Sequence, residues 1–114
     1  MNQGGMERRL FPRKLIRTKV FFEDEFGEAL IWLYAENISL GGLFLASDIP
    51  IKINSYVFLS FYLPETKIEI RATGQVVRIK KPLNPAKNNK ETGIGIRFVG
   101  LSKKSANAIQ EYIS

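Results

Sequence analysis

Between Val57 and Leu63 the side chains alternate strictly, with Val57, Leu59, Phe61 and Leu63 on one face and Phe58, Ser60 and Tyr62 on the other. A period of two is what a β-strand with one buried side requires, and Pro64 ends the run because it has no amide hydrogen to give a ladder. Comparable short runs, separated by turn residues, recur along the chain. Thr18 to Phe22 has strand composition, the acidic Glu23-Asp24-Glu25 followed by Phe26-Gly27 reads as a turn, and Ala29 to Ile38 reads as a long strand, so the two form a hairpin. Asn37 to Gly42 is turn chemistry, Leu43 to Ala46 a short strand, and Asp48, Pro50 and Asn54 punctuate the loop that follows. Ile68, Ile70 and Ala72 alternate with Glu69, Arg71 and Thr73, but the phase changes between Val76 and Val77. That slip predicts a β-bulge within residues 74–77, which would bend the strand around a barrel. Lys81 to Thr92, rich in Pro, Asn and Lys, reads as a mobile loop, after which Gly93 to Val99 resumes alternation through Ile94, Ile96 and Phe98.

Ser102 can cap a C-terminal helix in which Leu101, Ala106, Ile109, Tyr112 and Ile113 share a face. Six or so short strands and one terminal helix predict an all-β fold, a small antiparallel barrel, because closure removes the edges that invite aggregation. The expected organisation is a flexible N-terminal segment over 1–7, a basic arm over 8–17, the barrel over 18–100 and the helix over 102–113. A chain of 114 residues is the size of one domain, and with 45% apolar and 11% aromatic residues it can build a core without a metal or disulfide staple. Cysteine is absent, which excludes disulfides, thiolate chemistry and Cys-based zinc sites. No stretch resembles a signal-peptide core or approaches the roughly 20 apolar residues that span a bilayer, so a cytoplasmic location without membrane insertion is expected.

Seventeen Lys and Arg against eleven Asp and Glu give a net charge of +6. The first twenty residues hold six of the basic groups and only Glu7 against them, and a second cluster comprises Arg78, Lys80, Lys81, Lys87 and Lys90. Such a field favours an anionic partner: nucleic acid, a membrane surface or a phosphorylated small molecule. Catalysis is poorly provided for. Without histidine the commonest general base and metal ligand is missing, and the scattered acids leave only a carboxylate pair or a carboxylate metal site open. The chain is therefore expected not to be an enzyme and to need no cofactor.

Two local patterns carry chemistry. The first is Arg8-Arg9-Leu10-Phe11-Pro12-Arg13, followed by Lys14 and Arg17. A guanidinium can bridge two acceptors of one phosphate or the N7 and O6 edge of guanine, and its flat face stacks on a base. Two arginines four positions apart on an arm stiffened by Pro12 could clasp a compact guanine nucleotide; the competing reading is a solvated basic tail. The second is Asn37-Ile38-Ser39-Leu40-Gly41-Gly42, where Asn and Ser offer donors and acceptors and Gly42 can take positive φ and admit a close backbone approach. The competing reading is a tight turn in which Asn37 and Ser39 bond only to their own backbone.

In this order the two patterns resemble the signatures of the PilZ domain family, an Arg-x-x-x-Arg motif followed by Asp-or-Asn-x-Ser-x-x-Gly. Arg9 and Arg13 match the first, and Asn37, Ser39 and Gly42 the second; Gly93 to Gly100 is similar to the family's last strand. The resemblance implies a six-stranded barrel with a C-terminal helix that binds cyclic di-GMP. It also implies roles: Arg9 and Arg13 on guanine edges and phosphates, Asn37 and Ser39 meeting the ligand from the barrel, and Gly41 and Gly42 forming the turn. Arg8, preceding the motif, is a residue type that in the family accompanies a stacked ligand dimer. Asn37 stands where Asp is commoner, so a carboxylate that could accept from guanine N1 and N2 is absent. Arg13 and Arg17 form a second Arg-x-x-x-Arg, with Arg17 the better placed to support the arm. The expected mechanism is an order transition in which the basic arm condenses on the ligand and signals in trans to an unidentified downstream protein. Two alternatives stand beside it: a PilZ barrel that is a protein adaptor without nucleotide binding, and a basic barrel that binds single-stranded nucleic acid through exposed aromatics. The latter needs Phe21, Trp32, Phe58 and Tyr62 outside the core, where packing residues are the commoner use.

Overall fold

The alternating positions read from the sequence become the lining of a closed barrel. The computed structural model describes residues 12–28, 30–81 and 92–114. The elements are β1 (Lys14–Asp24), β2 (Leu30–Ile38), β3 (Gly42–Ala46), β4 (Tyr56–Tyr62), β5 (Glu69–Lys80), β6 (Gly93–Leu101) and the helix α1 (Lys103–Ile113). Around the barrel the order is β1-β2-β3-β6-β5-β4, every neighbouring pair antiparallel, and β1 closes the ring on β4 through Phe21↔Ser60 to Asp24↔Val57. Alternate residues point inward: Val20 and Phe22 from β1, Leu33 and Ala35 from β2, Val57, Leu59 and Phe61 from β4, Ile94 and Ile96 from β6, with Ile109 of α1 in the same cluster. Among the described residues no helix is long and apolar enough to cross a membrane.

The expected bulge in β5 is present. Its pairing with β6 slips between Thr73 and Gly74 and again between Val76 and Arg78, so Val76 stays buried while Val77 turns outward. Ser102 caps α1 as expected, its Oγ accepting from the amide of Ser105 at 3.0 Å. Two expectations need correction. The first strand begins at Lys14, not Thr18, so Lys14 to Arg17, assigned to the arm, are strand residues facing Leu15↔Asn37 and Lys14↔Ile38. The flanking cations hide the strand in sequence, where only Ile16 of this stretch packs against the core and Leu15 is exposed. The aromatics expected to pack are also largely outside: Trp32 is 61% exposed, Tyr62 57% and Phe58 44%, and Phe21 is half-buried. Each occupies the out-facing half of an amphipathic strand whose other half fills the barrel. The expected flexible segment over 1–7 and residues 82–91 of the expected mobile loop lie outside the described residues.

Candidate functional site

The turn from β2 to β3 is built by one serine. The Ser39 amide donates to the carbonyl of Gly42 at 2.8 Å, and its hydroxyl donates to the same oxygen at 3.4 Å while accepting from the amide of Gly41 at 3.1 Å. Ser39 is only 8% exposed. Its hydroxyl is thus spent inside the turn, as in the tight-turn reading, and shapes the site from within. Leu40 packs against the core. The carbonyl of Gly41 accepts from the amide of Phe98 at 2.8 Å, which stitches the turn to β6.

Gly42 pairs with Arg97 of β6, and a Cβ there would run into the backbone carbonyl of Ile96. The close approach foreseen from the sequence is therefore real, whereas the positive φ is not: among the described glycines only Gly27 adopts it. Asn37 is half-buried at the end of β2, opposite Leu15 of β1 and Phe44 of β3, just past a register slip between Ala35 and Asn37. That irregularity re-aims the residue relative to the strict alternation before it.

The pairing Lys14↔Ile38 brings the start of β1 to the end of the barrel that carries the turn. Arg13, exposed, immediately precedes this strand. Arg8 and Arg9 lie outside the described residues. Behind Arg13 the strand is anchored by its own cations. Lys14 Nζ sits 4.1 Å from the centre of the Tyr112 ring and donates to the Tyr112 carbonyl at 3.2 Å, and the Arg17 guanidinium lies 4.5 Å over the Tyr34 ring. Arg17 is thus held against β2. Burial, and then the carboxylate of Glu65, raise the Tyr112 phenol above its ordinary pKa.

Sequence reasoning passed over Arg97. It is exposed and pairs with Gly42 across the ladder, while its Nη2 donates to Gln75 Oε1 of β5 at 2.7 Å, which draws the guanidinium to the side of β6 away from the turn. Arg78 follows on the same side, its guanidinium 5.4 Å over the Phe44 ring. Arg78 belongs to the second basic cluster read from the sequence, whereas Arg97 does not stand out there, because only the β3–β6 register brings it to the motif. Glu36, exposed on β2, is the nearest acid along the chain. The assembled site is a small, uncharged turn in which Ser39 and Gly42 are buried and Leu40 and Gly41 half-buried, with Arg13 just before the neighbouring strand and Arg97 on β6. Among the described residues it offers guanidinium donors and the half-buried Gly41 to a phosphate or base edge. Among the described residues no cluster of acids is placed to hold a metal ion.

Comparison with known proteins agrees with the barrel fold. The PilZ domain family matches residues 7–114. The Bacillus subtilis inhibitor of motility MotI/DgrA has a similar structure, with a TM-score of 0.76 at 21% identity, over 93% of this chain and 49% of that one. The PilZ domain of YcgR from Escherichia coli, solved with c-di-GMP, gives a TM-score of 0.68 at 15% identity over 93% of this chain and 88% of that one. The Borreliella burgdorferi PlzA protein, in complex with c-di-GMP, gives 0.67 at 18% identity over 98% and 43%. The chain thus spans about half the length of the Bacillus protein. No curated protein matches it.

Proposed function

Because the chain belongs to the PilZ domain family, we propose that it is a receptor for cyclic di-GMP, not an enzyme, and that the ligand lies across the β2–β3 turn under the N-terminal arginines. The observation that carries this reading is the Lys14↔Ile38 pairing, which sets Arg13 and the turn of Ser39 to Gly42 at the same end of the barrel. Arg9 and Arg13 clasp guanine edges and phosphates. Asn37 presents an amide to the ligand, Gly41 lets it approach the backbone, and Ser39 together with Gly42, closed against the Ile96 carbonyl, keeps the turn in shape. Arg97 supplies a further guanidinium from the barrel side by exchanging its bond to Gln75 for the ligand. Arg8 favours a second, stacked ligand molecule.

Signalling follows from charge. Free, the arm carries clustered like charges that oppose its condensation; a ligand with two phosphates neutralises them and lets the arm order on the barrel. The ordered arm then offers a surface to a downstream protein in trans, and only the ligand's differential affinity for the two arm states is needed. Amide shifts in a nitrogen-15 NMR titration with cyclic di-GMP test the location. The expected result is shifts at Arg13, Asn37 to Gly42 and Arg97, with the outward residues of β4 unmoved; shifts confined elsewhere would overturn the site.

A further inference from the structure

The outer faces of β1, β2 and β4 carry an aromatic cluster that the nucleotide site does not use. Phe21 stands opposite Trp32 on β2 and Ser60 on β4, and Glu23 opposite Leu30 and Phe58. The Phe21 and Trp32 rings meet edge to face with centroids 5.2 Å apart. Beside them runs an open groove of about 520 Å³, walled by Phe21, Glu23, Phe58 and Arg71. Clustered, exposed aromatics of this kind mark interaction surfaces, because covering them removes apolar area from water around rigid side chains.

The charge around the cluster is opposite to that of the whole molecule. Residues 20–51 contain six acids and no Lys or Arg, in a chain whose net charge is +6. Glu23, Asp24, Glu25 and Glu28 gather at the β1–β2 hairpin, and Glu25 Oε1 accepts from the Tyr56 amide at 3.2 Å, which fixes this acidic rim against β4. Among the described residues the cations on this face are Arg17, stacked on Tyr34, Lys19, on the far side of Phe21 along β1, and Arg71, whose Nε is 3.4 Å from Glu69. A polyphosphate is repelled by such a rim, and a cation is drawn to it.

We propose that this face docks a basic segment of a partner protein, with an arginine or lysine entering the groove between Phe21 and Phe58 toward Glu23 and aliphatic neighbours covering Trp32. The surface shares no side chain with the nucleotide site, so the inference stands independently of that reading. Trp32, the chain's single tryptophan, lies on the surface and reports its own occupancy by fluorescence.

The test titrates the full chain with an amidated peptide alternating Arg and Leu, with its Glu–Leu counterpart, and with oligothymidylate. The expected result is a saturable blue shift of Trp32 emission with the Arg–Leu peptide alone, weakened by salt. Phe58→Ala and Glu23→Gln should each lower the apparent affinity by about tenfold, a hot-spot-sized loss, while cyclic di-GMP affinity measured on the same variants stays unchanged. Equal responses to the two peptides, a stronger response to oligothymidylate, or no response to the Arg–Leu peptide would each overturn the proposal. So would self-association of the free chain in sedimentation that Phe58→Ala abolishes, since a second copy would then be the occupant. Absent nucleotide binding with peptide docking intact would fault the receptor reading alone.

Discussion

Gly42 and Ser39 serve the site by building it. A methyl group at Gly42 would meet the Ile96 carbonyl, so Gly42→Ala is expected to destabilise by roughly 1–3 kcal/mol, the cost of overpacking a closed contact. Ser39→Ala leaves the Gly41 amide without its side-chain acceptor and is expected to cost about 1–3 kcal/mol in urea unfolding, the range for an orphaned, poorly solvated polar group. Arg13→Ala should behave in the opposite way. It is exposed, so stability should stay within about 0.5 kcal/mol while nucleotide affinity falls. The sequence makes the identity of these residues legible but not their division of labour. Which of Asn37, Ser39 and Gly42 can face a ligand depends on a register slip after Ala35 and on how near β6 passes, and neither leaves a trace in spacing. Arg97 is hidden for the same reason, since its relation to the turn exists only across the ladder.

At the scale of elements, strands with a clear inside and outside are readable. β4 falls where its alternation puts it, and the bulge in β5 follows from the change of phase at Val76 and Val77. β1 is less readable because in Lys14 to Arg17 only Ile16 packs against the core, and the rest of the strand start is held by stacking of Lys14 on Tyr112 and Arg17 on Tyr34. Alternation also separates the two faces without saying which aromatics end outside, so Trp32, Phe58 and Tyr62 look like core in sequence and are surface in the fold. The helix provides a direct test of the packing account. Ser102→Ala removes the cap bond to Ser105 and is expected to cost about 1 kcal/mol, whereas Ile109→Ala empties a fully buried site and is expected to cost about 2–5 kcal/mol in thermal or urea unfolding.

At the scale of the whole molecule, closure of the barrel spends every strand edge on a neighbour, so recognition is left to side chains and loops. Positive charge at Arg13 and Lys14 lies by the turn, and the acidic hairpin lies at the other end of β1, which gives the molecule two ends of opposite sign. On the proposed reading one end takes a ligand with two phosphates and the other a basic protein segment. The receptor claim is tested most directly by calorimetric titration of the full chain with cyclic di-GMP, with GTP and a short oligonucleotide as controls and Arg13→Ala alongside. Selective, saturable heat that the substitution abolishes, with two ligands per chain if Arg8 supports a stacked pair, is the predicted result; no heat at high ligand, or equal heat with GTP, would contradict it.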